Sequence, residues 1–120
     1  MTRTGLWDSH AHLDSDYFTD DRDELITKIG TEMEGFINPG CDEKSSAFAV
    51  QLAEKYDFVY AAVGWHPEDL AGIKDENYLD QLAQWAQHPK VAAIGEIGLD
   101  YYWKENEPKE VQKKRLLEQI

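Results

Sequence analysis

The segment Asp8-Ser9-His10-Ala11-His12 brings together three side chains with metal-site chemistry. In an extended strand, residues two apart point to the same face, so Asp8, His10 and His12 are predicted to project together. Neutral imidazole is a good ligand for zinc and similar ions, and a nearby carboxylate often orients such a ligand. The segment therefore predicts half of a metal site with Asp8 behind it. A pair of surface histidines beside an ordinary polar residue is the alternative.

A carboxylate, Glu96, follows the apolar run Val91-Ala92-Ala93-Ile94. We expect this run to be buried, and a charged group beside a buried strand is costly unless a cation or a proton neutralises it. Glu96 is therefore predicted to face the two histidines and to share a metal ion with them. A solvated position after the strand is the alternative. Asp100 would lie on the same side if the strand continued, but Gly98 favours a turn between them.

Other polar residues stand near the predicted ends of strands and helices. His66, in Val63-Gly64-Trp65-His66-Pro67, is predicted to line the site, with a capped loop histidine as the alternative. Asn38 is a minor candidate for the same pocket. His88 falls at the end of a helix, where a cation complements the helix dipole, so we exclude it from the site. Cys41 has no histidine near it in the sequence and is predicted to be a quiet buried thiol.

Short apolar runs alternate with stretches of helical spacing, which is typical of successive βα units on a parallel sheet. The predicted strands are 5–10, 35–39, 58–65 and 91–97. The predicted helices begin at Asp20 or Asp21, at Ser45 or Ser46, at Asp75 and at Pro108, and end at Met33, Tyr56, Gln87 and Ile120. Because the carboxyl ends of parallel strands meet at one edge, this α/β arrangement gathers the candidate residues there.

The predicted helices carry apolar stripes that should face the sheet. The first three stripes are Leu25, Ile26, Ile29 and Met33; Phe48, Leu52, Ala53 and Tyr56; and Leu79, Leu82, Ala83 and Ala86. In the fourth helix, no glycine, proline or polar tail follows the stretch Leu116-Leu117-Glu118-Gln119-Ile120. We therefore expect residues 1–120 to be part of a larger domain, truncated within its fourth helix. A C-terminal helix that docks and ends the protein is the alternative.

Composition narrows the class of protein. The chain has 120 residues, a formal net charge of −12, 42% hydrophobic residues and one cysteine, which excludes an internal disulfide framework. No apolar stretch approaches the roughly 20 residues of a membrane helix. We therefore expect a cytoplasmic protein with no membrane partner. The acidic surplus argues against a basic groove for nucleic acid, so metal ions or other segments would have to supply positive charge.

The motifs Asp8-Ser9-His10-Ala11-His12-Leu13-Asp14, Val63-Gly64-Trp65-His66-Pro67 and Gly95-Glu96-Ile97-Gly98-Leu99-Asp100-Tyr101-Tyr102 resemble those of the TatD family of metal-dependent deoxyribonucleases. The resemblance spans essentially the whole chain. It implies a TIM (β/α)8 barrel, of which this chain supplies about the first four βα units. It also implies two divalent ions, such as Mg, Zn or Mn, and hydrolysis of phosphodiester bonds in DNA.

Position by position, the resemblance matches His10 and His12 to the ligands of one ion, and Glu96 to the carboxylate that bridges both ions. The family pattern requires two further histidines and a late aspartate beyond Ile120, and no histidine follows Glu96 in this sequence. The isolated half is therefore expected to be inactive. It is also expected to self-associate, because its sheet would have two unpaired edges.

The same resemblance places further residues around the site. His66 matches a histidine that lines it, and Asp100 and Tyr101 match positions on its rim. We assign catalytic roles to His66 and Asp100, and a substrate-lining role to Tyr101 and Asn38, with Asp8 as a supporting group.

The expected partner is DNA or a small phosphodiester. Acidic residues after the histidines should repel a long DNA backbone, which favours chain ends or single strands; they are Asp14, Asp16, Asp20, Asp21, Asp23 and Glu24. One alternative is a hydrolase of the same fold that acts on an amide, ester or lactone. Many such enzymes carry a carboxylated lysine at the end of the fourth strand, where this chain has Glu96. Another alternative is an inactive truncated fragment.

Overall fold

The computed structural model describes residues 5–120, which form a parallel sheet flanked by helices. Within this range the strands lie in the order β1-β2-β3-β4 and span Trp7–Asp8, Gly35–Pro39, Val59–Val63 and Val91–Ile94. The α-helices α1 to α4 span Arg22–Glu32, Glu43–Lys55, Tyr78–Ala86 and Lys109–Gln119, with 3-10 turns at Asp16–Phe18 and Leu70–Gly72. These are four successive βα units, so the predicted α/β class is confirmed.

The outer strands are shorter than predicted. β1 ends at Asp8 rather than at position 10, because the chain turns there and the backbone N–H of Ala11 bonds to the carbonyl of Ile37, 3.1 Å away. β4 ends at Ile94 rather than at position 97. The two histidines therefore lie in a turn after β1, and the strand alternation used to group them with Asp8 does not apply.

The core lies between the inner strands and the helices packed on them. Its fully buried side chains include Ile26, Phe36, Ala49, Val59, Ala61 and Val63. Leu52 and Ala53 of α2 are buried as predicted, but Ala83 and Ala86 of α3 are exposed. Among the helices of residues 5–120, none combines the length and the apolar character that a membrane span needs.

The face of α3 is set by aromatic rings, which explains the error in its predicted stripe. The ring of Trp65 packs against Tyr78 at 5.1 Å and stacks on Trp85 at 5.9 Å between centroids. Tyr78 and Trp85 thus turn toward the core, and Ala83 and Ala86 turn away from it.

The predicted burial of 91–94 is also wrong. Ala92 and Ala93 are exposed, and Val91 and Ile94 are only half-buried, because β4 is an outer strand. β1, the other outer strand, likewise exposes Trp7 by 51%. Apolar side chains are thus exposed on both outer strands.

Helix α2 begins with a reciprocal cap that differs from the predicted one. Asp42, not a serine, is the N-cap residue, and its carboxylate accepts from the backbone N–H of Ser45 at 2.8 Å. The hydroxyl of Ser45 in turn accepts from the backbone N–H of Asp42 at 3.1 Å. Both groups satisfy N–H donors that a helix start leaves without partners.

The end of β3 is held by two buried polar side chains. The Ser46 hydroxyl of α2 bonds to both the N–H and the carbonyl of Gly64, at 3.1 and 3.2 Å. The Gln119 amide of α4 accepts from the Trp65 N–H at 2.8 Å and donates to its carbonyl at 3.3 Å. The backbone that leads into His66 is thereby fixed from two helices.

Candidate metal site

The side chains of His10, His12 and Glu96 converge in the structure. The two histidine Nε2 atoms are 3.1 Å apart. Glu96 Oε1 lies 3.5 Å from His10 Nε2, and Glu96 Oε2 lies 3.3 Å from His12 Nε2. One donor atom from each residue falls within 4.8 Å of the others. These are the three residues that the sequence predicted as metal ligands.

Loops rather than strands bring these residues together. β1 and β4 are the outer strands, and three strand spacings separate them by about 14 Å. The turn after β1 bends over β2 through the bond from Ala11 to Ile37. From the other side, the backbone N–H of Glu96 reaches past β3 to the carbonyl of Gly40 at 2.7 Å. The peptide bond between Gly95 and Glu96 is cis.

The spacing of the donor atoms fits a divalent metal ion. Metal–ligand bonds of about 2.0–2.2 Å at tetrahedral angles separate two ligand atoms by about 3.3–3.6 Å, and octahedral angles give slightly less. The contacts of 3.1, 3.3 and 3.5 Å match these separations. Half of the His10 side chain is exposed, so the cluster is also open to solvent. Two imidazoles and a carboxylate form a typical ligand set for zinc and related ions.

The turn that carries the histidines is supported from below by Asn38. This side chain is fully buried, and its Oδ1 accepts from the backbone N–H groups of Leu13 and Asp14 at 2.8 and 3.2 Å. Its Nδ2 donates to Asp14 Oδ1 at 3.1 Å. That same Asp14 oxygen lies 3.5 Å from His12 Nδ1. Asn38 thus supports the turn instead of lining a pocket as predicted.

Asp14, rather than Asp8, contacts a histidine ring. Asp8 Oδ1 accepts from the backbone N–H of His10 at 2.9 Å, so its carboxylate fixes the turn and not the imidazole. With Nε2 of His12 turned toward Glu96, a carboxylate at Nδ1 favours the tautomer that leaves Nε2 free to bind a metal. Asp14 follows His12 by two residues, and this spacing was the available sequence signal for its role.

Arg22, which the sequence did not single out, anchors the same turn from α1. Its guanidinium donates to the carbonyls of Leu13 at 2.7 Å, Ser15 at 2.9 Å and Asp14 at 3.3 Å. The planar guanidinium also lies over the Phe48 ring, 4.9 Å from its centroid. Three bonds from one rigid group restrict the turn, which preorganises the histidines.

His66 lies outside the three-residue cluster. Its backbone N–H bonds to the carbonyl of Cys41 at 2.9 Å, and its Nδ1 accepts from the N–H of Glu68 at 3.0 Å. An acceptor role for Nδ1 means that the neutral ring carries its proton on Nε2. His66 can therefore donate a hydrogen bond from Nε2.

Burial raises the pKa of two titratable groups beside His66, Asp69 and Cys41. Burial, and next the negative charge of Asp42, raise the pKa of Asp69. Burial raises the pKa of the Cys41 thiol to about 11, although a hydrogen bond from Ser45 opposes this. A protonated, half-buried thiol agrees with the quiet role predicted for Cys41.

Asp100 and Tyr101 lie on the loop between β4 and α4. The Asp100 carboxylate accepts from the backbone N–H of Tyr102 at 2.9 Å. The Tyr101 ring is 46% exposed, and Lys109 Nζ lies 4.8 Å from its centroid. Both residues thus follow Glu96 on one loop, and the structure gives Asp100 a local bond that orders it.

Comparison with known proteins identifies relatives of the chain. The family model described as TatD related DNase matches residues 7–120. An uncharacterized metal-dependent hydrolase, YabD of Bacillus subtilis, is 40% identical over 116 residues, which cover 96% of this chain and 45% of YabD. A protein of Citrobacter koseri named 3'-5' ssDNA/RNA exonuclease TatD is 30% identical over 109 residues, covering 90% of this chain and 42% of that protein.

A solved structure shows the same fold. The TatD homolog YjjV of Escherichia coli superposes with a TM-score of 0.82 at 32% identity, over 95% of this chain and 44% of YjjV. The chain thus spans less than half the length of the relatives it matches, and its four βα units correspond to about half of a TIM barrel. The motifs, the fold and these similarities agree, and the chain belongs to the TatD family of metal-dependent hydrolases.

Proposed function

We propose that the protein hydrolyses phosphodiester bonds in single-stranded nucleic acid, with His10, His12 and Glu96 as ligands of divalent metal ions. The observation that carries this proposal is the convergence of three donor atoms within 4.8 Å. The name of the Citrobacter koseri relative, a single-stranded DNA and RNA exonuclease, supports the substrate class. We propose DNA as the substrate. RNA and small phosphodiesters contain the same type of bond and are the alternative substrates.

We further propose that residues 1–120 are the N-terminal half of one (β/α)8 domain that works in the cytoplasm. A complete barrel needs about 250 residues, and this chain covers 45% of YabD. The exposed apolar residues of β1 and β4 lie where further strands would pair. Ligands beyond His10, His12 and Glu96 would come from the other half.

The carboxylate of Glu96 faces both histidines, with Oε1 toward His10 and Oε2 toward His12. Glu96 would therefore hold a metal ion together with His10 and His12. The resemblance to the TatD family supports a second ion, which would share this carboxylate. Bound Mg²⁺, Zn²⁺ or Mn²⁺ would polarise the phosphoryl oxygen and lower the pKa of a water molecule.

The remaining proposed roles belong to side chains around the metal ligands and to those that support them. His66 is proposed to donate its Nε2 proton as a hydrogen bond to a substrate phosphate oxygen, because Nδ1 is already an acceptor. Asp100 is proposed to help position the substrate, and Tyr101 to line its path. Asn38 and Asp14 hold His12 in place, and Asp8 holds the backbone of His10.

The proposal is tested with Glu96→Gln in the full-length protein. Single-stranded DNA and RNA oligonucleotides of one sequence are incubated with Mg²⁺ or Mn²⁺, and nucleotide release is followed. We expect Glu96→Gln to lower kcat/KM by at least about 100-fold, since even residues behind metal ligands cost 10- to 100-fold. Glu110→Gln is the matched control, because this glutamate is 87% exposed on α4 and should leave the rate unchanged.

Three outcomes would contradict the proposal. A near-normal rate for folded Glu96→Gln would remove this residue from the site. Release of nucleotides that survives a chelator would exclude a metal-dependent reaction. Turnover of amide, ester or lactone substrates without any phosphodiester cleavage would favour the other hydrolases of this fold. The 120-residue chain alone is expected to release no nucleotides, because its ligand set is incomplete.

A further inference from the structure

A group of large apolar side chains is exposed a few residues after Glu96. Leu99, Tyr101, Tyr102 and Trp103, here called the aromatic segment, are 45, 46, 78 and 50% exposed. The rings of Tyr102 and Trp103 meet edge to face, with 4.6 Å between their centroids. Exposed apolar groups that lie together in this way commonly mark a binding site.

The aromatic segment is held rigidly by the start of α4. The buried Gln112 side chain accepts from the backbone N–H of Asp100 at 2.8 Å and donates to the carbonyls of Asp100 and Glu107 at 3.0 and 2.8 Å. Asn106 also donates to the Asp100 carbonyl at 3.1 Å. The Asp100 carboxylate fixes the N–H of Tyr102. Because these bonds order the loop before binding, a ligand would lose little affinity to loop ordering.

The charges around the aromatic segment argue against a phosphate-tracking role for it. Residues 99–110 contain four carboxylates and two lysines, and the whole chain has a net charge of −12. Neutralising phosphates requires Lys and Arg, which are scarce here. Stacking of a base on an aromatic ring is worth about 1–3 kcal/mol and tolerates any sequence, because every base has a π-face.

We propose that the aromatic segment is a stacking platform for unpaired bases of the strand whose scissile phosphate lies at His10, His12 and Glu96. This inference rests on the function proposed above and adds a recognition site to it. Tyr102 and Glu96 are six residues apart, so their Cα atoms are separated by at most about 20 Å, a distance that a few nucleotides bridge. Bases inside a duplex are stacked on one another, so the platform selects single strands.

The test measures binding and turnover in the full-length protein. Binding is followed in the Glu96→Gln background, which prevents turnover, with a deoxythymidine oligonucleotide and an abasic strand of equal length as probes. We expect Trp103→Ala and Tyr102→Ala each to weaken binding of the base-containing strand about tenfold relative to the abasic strand. Tyr102→Phe should keep the preference, because a phenyl ring also stacks. Tyr17→Ala is the control, since Tyr17 is 87% exposed outside the segment.

The fluorescence of Trp103 gives a second readout. We expect the base-containing strand to quench it, and Trp103→Ala to remove that quenching. Equal affinity for both strands, or a Trp103 that acrylamide cannot reach because another part of the protein covers it, would overturn the platform. Hydrolysis of both strands with equal efficiency would overturn it while the proposed function stands. Base-dependent binding without hydrolysis of either strand would support the platform and contradict the proposed function.

Discussion

Asn38 shows how one buried side chain can organise a functional turn. Both atoms of its amide group are used, Oδ1 for the N–H groups of Leu13 and Asp14 and Nδ2 for the Asp14 carboxylate. Through Asp14, the buried amide reaches the ring of His12. Asn38 is therefore a positioning residue whose effect on the metal ligands is indirect.

We expect Asn38→Ala to lower both stability and metal affinity. The buried N–H of Leu13 and the half-buried N–H of Asp14 would lose their acceptor, which costs about 1–3 kcal/mol of the free energy of unfolding. Metal affinity should fall by about 10- to 100-fold, as for other residues that support metal ligands. Urea denaturation and metal titration measure the two effects.

Asn77→Ala is the matched control for this change. Asn77 is exposed at the start of α3, and its side chain makes no capping bond there. Unchanged metal affinity in a folded Asn38→Ala protein would show that Asn38 has a structural role only.

Residue types and spacing were sufficient to identify the metal-site candidates but not their supports. His10 and His12 are two of only four histidines, and Glu96 directly follows an apolar run, so they stand out in the sequence, and the structure brings them together. Arg22 and Gln112 donate to backbone carbonyls 5 to 12 residues earlier in the chain, and such bonds depend on the final path of the loops. Nothing in the local sequence of these two residues indicates that role.

At the scale of elements, α2 links the core to the site. It packs on β3. In its first turn, the Ser45 hydroxyl accepts from the backbone N–H of Cys41, and the Ser46 hydroxyl donates to the carbonyl of Gly64 just after β3. A Cβ at Gly40 would collide with the side chain and the backbone of Ser46, so only glycine allows this approach of helix and strand. The reciprocal cap between Asp42 and Ser45 fixes the angle at which the chain enters the helix.

We expect Asp42→Ala to lower the free energy of unfolding by about 1 kcal/mol, because the N–H of Ser45 loses its capping partner. Asp42→Asn keeps an acceptor oxygen and should retain most of the stability. Urea denaturation of both variants and the unchanged protein provides the measurement. Equal losses for the alanine and asparagine variants would argue against capping as the cause.

The positions of the elements were predictable, and their ends were less so. The inner strands are short apolar runs between turn residues, which is a local signal, and β2 matches its prediction at both ends. The cap of α2 was misplaced because Asp42 and two serines compete for that role in the sequence. The burial of β4 was overestimated because the number of neighbours a strand has depends on the whole sheet.

At the scale of the whole molecule, exposed apolar side chains favour self-association of the chain, and its negative net charge opposes self-association. The outer strands and the last helix expose apolar side chains, among them Leu6, Trp7, Leu117 and Ile120. The net charge of −12 repels like copies at low ionic strength. This charge belongs to the 120 residues alone and does not describe a complete barrel.

We expect the isolated 120-residue chain to self-associate, and more strongly as salt screens its charge. Light scattering at increasing NaCl concentration measures the mass of the particles. Leu117→Lys should reduce association, because Leu117 is 74% exposed. Lys114→Arg, which keeps the charge of an exposed neighbour on α4, should leave it unchanged. A monomer at every salt concentration would contradict the expectation.

The bond pair between Gln119 and Trp65 also sets an order of events during synthesis. Residues 65 and 119 are 54 positions apart, so the backbone next to His66 leaves the ribosome well before its partner. At about 5–20 residues per second, the wait lasts about 3–11 s. During this interval, the Gln119 amide is not yet available to bond to the Trp65 N–H and carbonyl. The hydrogen bonds that hold the backbone just after β3 can therefore form only when α4 has been synthesised.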